Sequence, residues 1–223
     1  MKRAAVLAFL AGCAIPPPAP DPNAVVLDVL RAYPTDGSYP YYWPRTGKDA
    51  SWDGTTEEIR YQGTRITQGD AQRRSYCCGL TYEVFLKVLR RLHGEAIPGV
   101  TAQDLHETRR RWYGDSKQAP ERRRLVAFAI ESMGFGAQVA RLEDARPGDF
   151  VQFWRHSGSG HSAVFLDWIR EDGRIAGLKY WSSQKSTRGI GTAVERLRGP
   201  DGIKPDEIYL ARLGKSTHTE PRR

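Results

Sequence analysis

Cysteine is scarce in this chain, with three in 223 residues, at positions 13, 77 and 78. That excludes a disulfide scaffold, because neighbouring cysteines can close only a strained small ring that staples nothing. It also excludes a zinc site built from spaced ligands, so no metal or other cofactor is expected. Long apolar runs are lacking as well. The run from Ala4 to Leu10 is too short to span a bilayer, and no later stretch is apolar enough to do so. Acidic residues are in deficit, 26 Asp and Glu against 34 Lys and Arg, for a formal charge of +8. The basic runs Arg109-Arg110-Arg111 and Arg122-Arg123-Arg124 fall in helix-like segments and read as solvated faces, so nucleic acid is not the expected partner.

What is present begins with an address. "MKRAAVLAFLAGC" joins Lys2 and Arg3 to a short apolar run, the pattern of an export signal, and Leu10-Ala11-Gly12-Cys13 resembles the lipobox of bacterial lipoproteins. That resemblance implies acylation of Cys13, anchorage to a lipid bilayer and a location in the cell envelope. An ordinary signal peptide that happens to contain a cysteine is the alternative. "AIPPPAPDPN" is too proline-rich for helix or sheet and reads as an extended spacer. The expected organisation is a signal over 1–12, a lipidated cysteine and spacer over 13–23, an N-terminal extension with an aromatic loop over 24–70, a catalytic domain over 71–214 and a frayed tail over 215–223.

The body divides by hydrophobic period. Helices are predicted over Ala24 to Tyr33, Cys77 to Leu92, Ala102 to Trp112 capped by Thr101, and Glu121 to Met133. "EEIRYQGTRITQG" reads as a hairpin turning at Gln62-Gly63. "DFVQFW", "SAVFLDWI", "IAGLKYWS" and "EIYLARL" are strand candidates. Helices first and strands afterwards predict an α+β domain, helices packed on an antiparallel sheet.

The adjacent cysteines carry the chemistry. A thiol attacks an acyl group only as thiolate, which a helix N-terminus and a nearby imidazole both favour. Cys77 falls at the first turn of its helix, whereas Cys78, about 100° further round, is expected to point elsewhere and pack. A base is then needed. His218 lies in the tail and His93 and His106 in helical segments, leaving His156 and His161 in "FWRHSGSGHSAVFLDW". His161, at the mouth of a strand, is the better placed. Asp172-Gly173 suits a two-residue type I′ turn, and a hairpin centred there sets His161 opposite Gln184, with Ser182 its diagonal neighbour. Either could orient the imidazole; a slip of one residue would substitute Ser183.

Three motifs in order, "YCCGLT", "ARPGDFVQFW" and "GHSAVFLDW", resemble those of the NlpC-type superfamily of papain-like cell-wall cysteine peptidases and amidases. The resemblance covers Arg73 to Gln184, about half the chain. It implies a papain-like fold with the nucleophile, Cys77, at a helix N-terminus, His161 as base, and Pro147-Gly148-Asp149 leading into the first strand. Tyr76 stands where relatives carry an acid, and Cys78 where they carry serine. The implied activity is hydrolysis of amide bonds in peptidoglycan stem peptides through a thioester, by a monomer. Tyr76, Trp43 and Trp52 are the candidate substrate-binding aromatics. The alternatives are a wall-binding lipoprotein without turnover and a thioester-forming acyltransferase.

Overall fold

The computed structural model describes residues 19–44, 46–114 and 121–214. The export signal, Cys13, most of the proline spacer and the tail from 215 lie outside the described residues. No helix among the described residues is long and apolar enough to cross a membrane.

The chain orders its elements as α1 (Pro22–Arg31), the hairpin β1 (Arg60–Tyr61) and β2 (Thr64–Arg65), α2 (Cys77–His93), α3 (Ala102–Tyr113), α4 (Glu121–Arg124), α5 (Val126–Ser132), and then β3 (Gly136–Val139), β4 (Phe150–Arg155), β5 (Gly160–Glu171), β6 (Arg174–Gln184), β7 (Gly189–Arg196) and β8 (Ile203–Leu213). The last six strands form one sheet in the order β3-β8-β4-β5-β6-β7, with every pairing antiparallel. The α+β class read from the change of period is the class observed.

Strand alternation gives this sheet two apolar faces. Phe150, Val164, Trp181, Ile190, Ala211 and Leu213 pack with the helices, while Val151, Phe153, Phe165, Leu178, Tyr180 and Leu210 form a second cluster. The central helix is α2, in which every residue from Gly79 to Leu86 is buried. It accepts a charge in that interior because Glu83, 0% exposed, takes hydrogen bonds from the Tyr33 hydroxyl (2.6 Å), the Thr56 backbone N–H (2.6 Å) and hydroxyl (2.8 Å), and Lys87 (3.0 Å). These bonds bear on the expected boundary at residue 70. Val26, Val29 and Leu30 of α1 share the core of α2, so the extension packs into the same core.

The strand-entry aspartate has a structural task. Asp149 is fully buried, receives Asn23 Nδ2 (2.9 Å) and the Arg146 backbone N–H (2.8 Å), and is gripped by Arg212 through Nε and Nη2, both at 2.8 Å. It therefore ties α1, the entry to β4 and β8 together.

One expectation needs correction. The helix predicted from Glu121 to Met133 is broken at Leu125, whose φ is 32°. The first turn, Glu121–Arg124, buries nothing, so the chain reorients there to bury Val126, Ala127, Ala129 and Ile130. Strands β3 and β7 carry weak strand signals: β3 has three half-buried residues and one exposed, and β7 opens with Gly189-Ile190-Gly191, a glycine-rich start.

Candidate active site

Cys77 is the first residue of α2. Tyr76, extended at φ −134° and ψ 168°, is the N-cap residue and supplies no side-chain cap, and the first turn carries no acid. The N-cap side chain thus leaves the leading N–H groups of α2 uncapped, and those of Cys78 and Gly79 lie against the Cys78 sulfur. Close approach sets the position of this turn. Tyr76 N–H donates to Gly54 O (3.3 Å), and a Cβ on Gly79 would stand 2.2 Å from that same carbonyl oxygen.

His161 comes from the other side, near the start of β5. It is 7% exposed and sits on the rings of Phe153 and Tyr180, with centroids 5.5 and 5.4 Å away. Its Nε2 meets Gln184 Oε1 at 3.0 Å. A carbonyl oxygen can only accept, so Nε2 carries the proton and Nδ1 is the ring nitrogen left for the thiol. Ser182 does not reach the imidazole: its hydroxyl donates to Ser162 O (2.7 Å). The Ser183 hydroxyl instead bonds Ser75 (2.8 Å to Oγ, 3.1 Å to O). Of the three candidate orienting residues, only Gln184 touches His161.

The register that achieves this is not the uniform one expected. Glu171 pairs Arg174 across the Asp172-Gly173 turn, whose φ values are both positive, as a type I′ turn requires. A bulge near Ala176 then shifts the pairing by one, to Trp168 with Leu178, and a second near Leu166 restores it, so that Phe165 pairs Tyr180 and Val164 pairs Trp181. The two bulges cancel, and Gln184 arrives beside His161 after all.

The thiols differ sharply. A hydrogen bond from the Cys78 thiol holds Cys77 well below the ordinary thiol range. The charge of His161, a hydrogen bond from its ring and one from the Ser162 backbone N–H add to this, and together they outweigh burial, which acts the other way. Cys78 is pushed well above that range by the same bond, by burial and by the neighbouring sulfur's charge. The expectation that Cys78 simply turns away is corrected here. It packs against the core, yet its S–H serves Cys77. Adjacency in the sequence hinted at this partnership, but only the first-turn geometry exposes it.

Beneath the imidazole lies a layer that sequence reading missed. The Tyr180 hydroxyl and the Arg155 guanidinium both hold Glu195, the latter through Nε (2.7 Å) and Nη2 (2.5 Å). Tyr180 precedes Gln184 by four on β6, so alternation alone could have placed it on the same face.

The candidate aromatics separate by exposure. Trp43 is 54% exposed and stacks on Tyr76 (6.2 Å, 28°), whereas Trp52 and Tyr76 are buried against each other. Trp52 and Tyr76 therefore support the wall, and Trp43 is the ring open to a ligand. His156 is exposed, near the turn between β4 and β5, with its backbone N–H bonded to Gly202 O (3.0 Å). No group of three or more His, Cys, Asp or Glu suited to a metal ion occurs among the described residues. No family model, no curated protein and no solved structure matches the chain.

Proposed function

We propose that the protein is a papain-like cysteine hydrolase of the NlpC type, anchored by lipid in the bacterial envelope, that cleaves amide bonds of peptidoglycan stem peptides. The observation that carries this reading is the convergence of Cys77, Cys78, His161 and Gln184, which lowers one thiol's pKa and fixes one imidazole tautomer.

The chemistry follows from those positions. Cys77 Sγ, as thiolate, attacks the scissile carbonyl carbon, and N–H groups at the start of α2 receive the developing oxyanion. His161, protonated at both nitrogens, gives the Nδ1 proton to the departing amine as the C–N bond breaks, leaving a thioester on Cys77. Gln184 Oε1 accepts from Nε2 throughout and keeps the ring in place. Water then gives a proton to Nδ1 and adds to the thioester; the C–S bond breaks, releasing the acid and restoring the thiolate. An amine in place of that water would make the same centre an acyltransferase.

Purified sacculi provide the test. The wild-type protein should release muropeptide fragments that differ from the intact network by whole waters of hydrolysis, and Cys77→Ser should release none. Equal release by both proteins would end the proposal, and fragments joined to an added amine would favour transfer.

A further inference from the structure

A hollow of about 380 Å³ lies beside this centre, lined by Tyr41, Tyr42, Trp43 and Lys185. Both of its walls are continuous with the catalytic groups. On one side Tyr41 bridges to Ser75, Tyr42 N–H donates to Ser75 O (2.9 Å) and Ser75 N–H donates to Pro40 O (3.0 Å), two residues before Cys77. On the other, Lys185 follows Gln184 directly, in a turn closed by Arg188 N–H to Lys185 O (2.9 Å) and fixed to the first wall by Ile190 N–H to Tyr39 O (3.3 Å). The hollow's walls are thus tied to the segments that carry Cys77 and Gln184.

Its one cation is Lys185. Lys185 is exposed and has no carboxylate partner among the described residues. The acids nearby are already engaged: Asp49 and Asp70 both meet Arg74 (3.7 and 2.6 Å), whose guanidinium lies 4.3 Å from the Tyr42 ring centre. Aromatic walls with an unanswered ammonium fit a ligand that is part apolar and ends in an anion.

We infer that the Tyr41–Trp43 and Lys185 hollow is a specificity subsite that receives a free carboxylate of the peptide substrate, with Lys185 as its cationic anchor. This rests on the hydrolase reading for the word substrate, and the recognition itself can be measured without turnover. The full chain carrying Cys77→Ala, in detergent, is titrated by calorimetry with two synthetic stem peptides identical except that one ends in a carboxylate and the other in a carboxamide. The acid should bind about tenfold more tightly at low salt, the size of one charge-assisted contact in a partly screened hollow. Lys185→Ala should erase that ratio, Lys185→Glu invert it and Lys185→Arg preserve it, while raised ionic strength shrinks it. A merely structural lysine would not move the ratio.

An acid preference that survives in Lys185→Ala, or failure of both peptides to bind, overturns the subsite and leaves the thiol chemistry standing. A Lys185-dependent preference in a protein that never cleaves either peptide supports the subsite and counts against hydrolysis.

Discussion

His161→Ala should lower turnover on sacculi by about a thousandfold or more while leaving the fold intact. Proton transfer by a positioned side chain contributes typically 10² to 10⁴ in rate, and here the same ring also helps keep Cys77 ionised, so its removal strikes twice. Gln184→Ala should cost roughly ten- to a hundredfold, because it frees the imidazole to rotate and change tautomer without removing it. Ser182→Ala and Ser183→Ala, whose hydroxyls bond Ser162 and Ser75, should stay within about threefold, a loss well under the 1.4 kcal/mol that makes a decade. His156→Ala should behave as wild type. Initial rates of fragment release order the series. An inactive His156 variant beside an active His161 variant would reverse the assignment.

The second large effect is on stability. Gly79→Ala should destabilise the protein by about 3 kcal/mol, the upper end of what overpacking costs, although alanine is the better helix former. A Cβ there would lie 2.2 Å from Gly54 O and 2.4 Å from Asp53 O, backbone atoms that cannot rotate away. Asp53 is itself pinned, its carboxylate accepting from Gln68 N–H (2.8 Å) and meeting Arg109 (3.3 Å). At this chain length the melting temperature should fall by roughly 6–12 °C. Urea unfolding monitored by tryptophan fluorescence checks it; an unchanged midpoint would mean that the loop yields freely. Because the same loop supports Tyr76, activity should fall with stability in this variant.

How far the sequence could be read depended on whether local signals sufficed. Cys77 at a helix start was legible because Gly79-Leu80 opens an apolar pattern and nothing before it is periodic. The Asp172-Gly173 turn was legible from its dipeptide. Gln184 then came out opposite His161 through two bulges that cancel, and no local signal marks either. The break at Leu125 was hidden because a run of three arginines continues a helical composition while offering nothing to bury. The packing of the extension into the helical core was hidden for a different reason. No local signal marks Glu83 as buried, and only the approach of Tyr33 and Thr56 from distant segments makes it a buried hub. Likewise, the tuning of Cys77 by Cys78 depends on rotamers in one helical turn.

That tuning is the centre of the account, and alkylation measures it most directly. An ordinary thiol, with a pKa of about 8.5, reacts with iodoacetamide roughly 80-fold more slowly at pH 6 than at pH 8, following its thiolate fraction. Cys77, held well below that range, keeps more of its thiolate at the lower pH, so its rate should rise much less steeply over the same interval. Cys78 should remain almost unlabelled across it. Cys78→Ala removes one donor to the sulfur while His161 and the Ser162 N–H remain, and should make the rise with pH steeper than in the wild type, whereas Cys78→Ser keeps a donor and should not. Peptide mapping of the labelled full chain at both pH values therefore yields the decisive comparison. The account predicts rapid labelling of Cys77, shallow in its pH dependence, that tracks loss of sacculus hydrolysis; labelling of Cys78 first, or an 80-fold rise at Cys77, would contradict it.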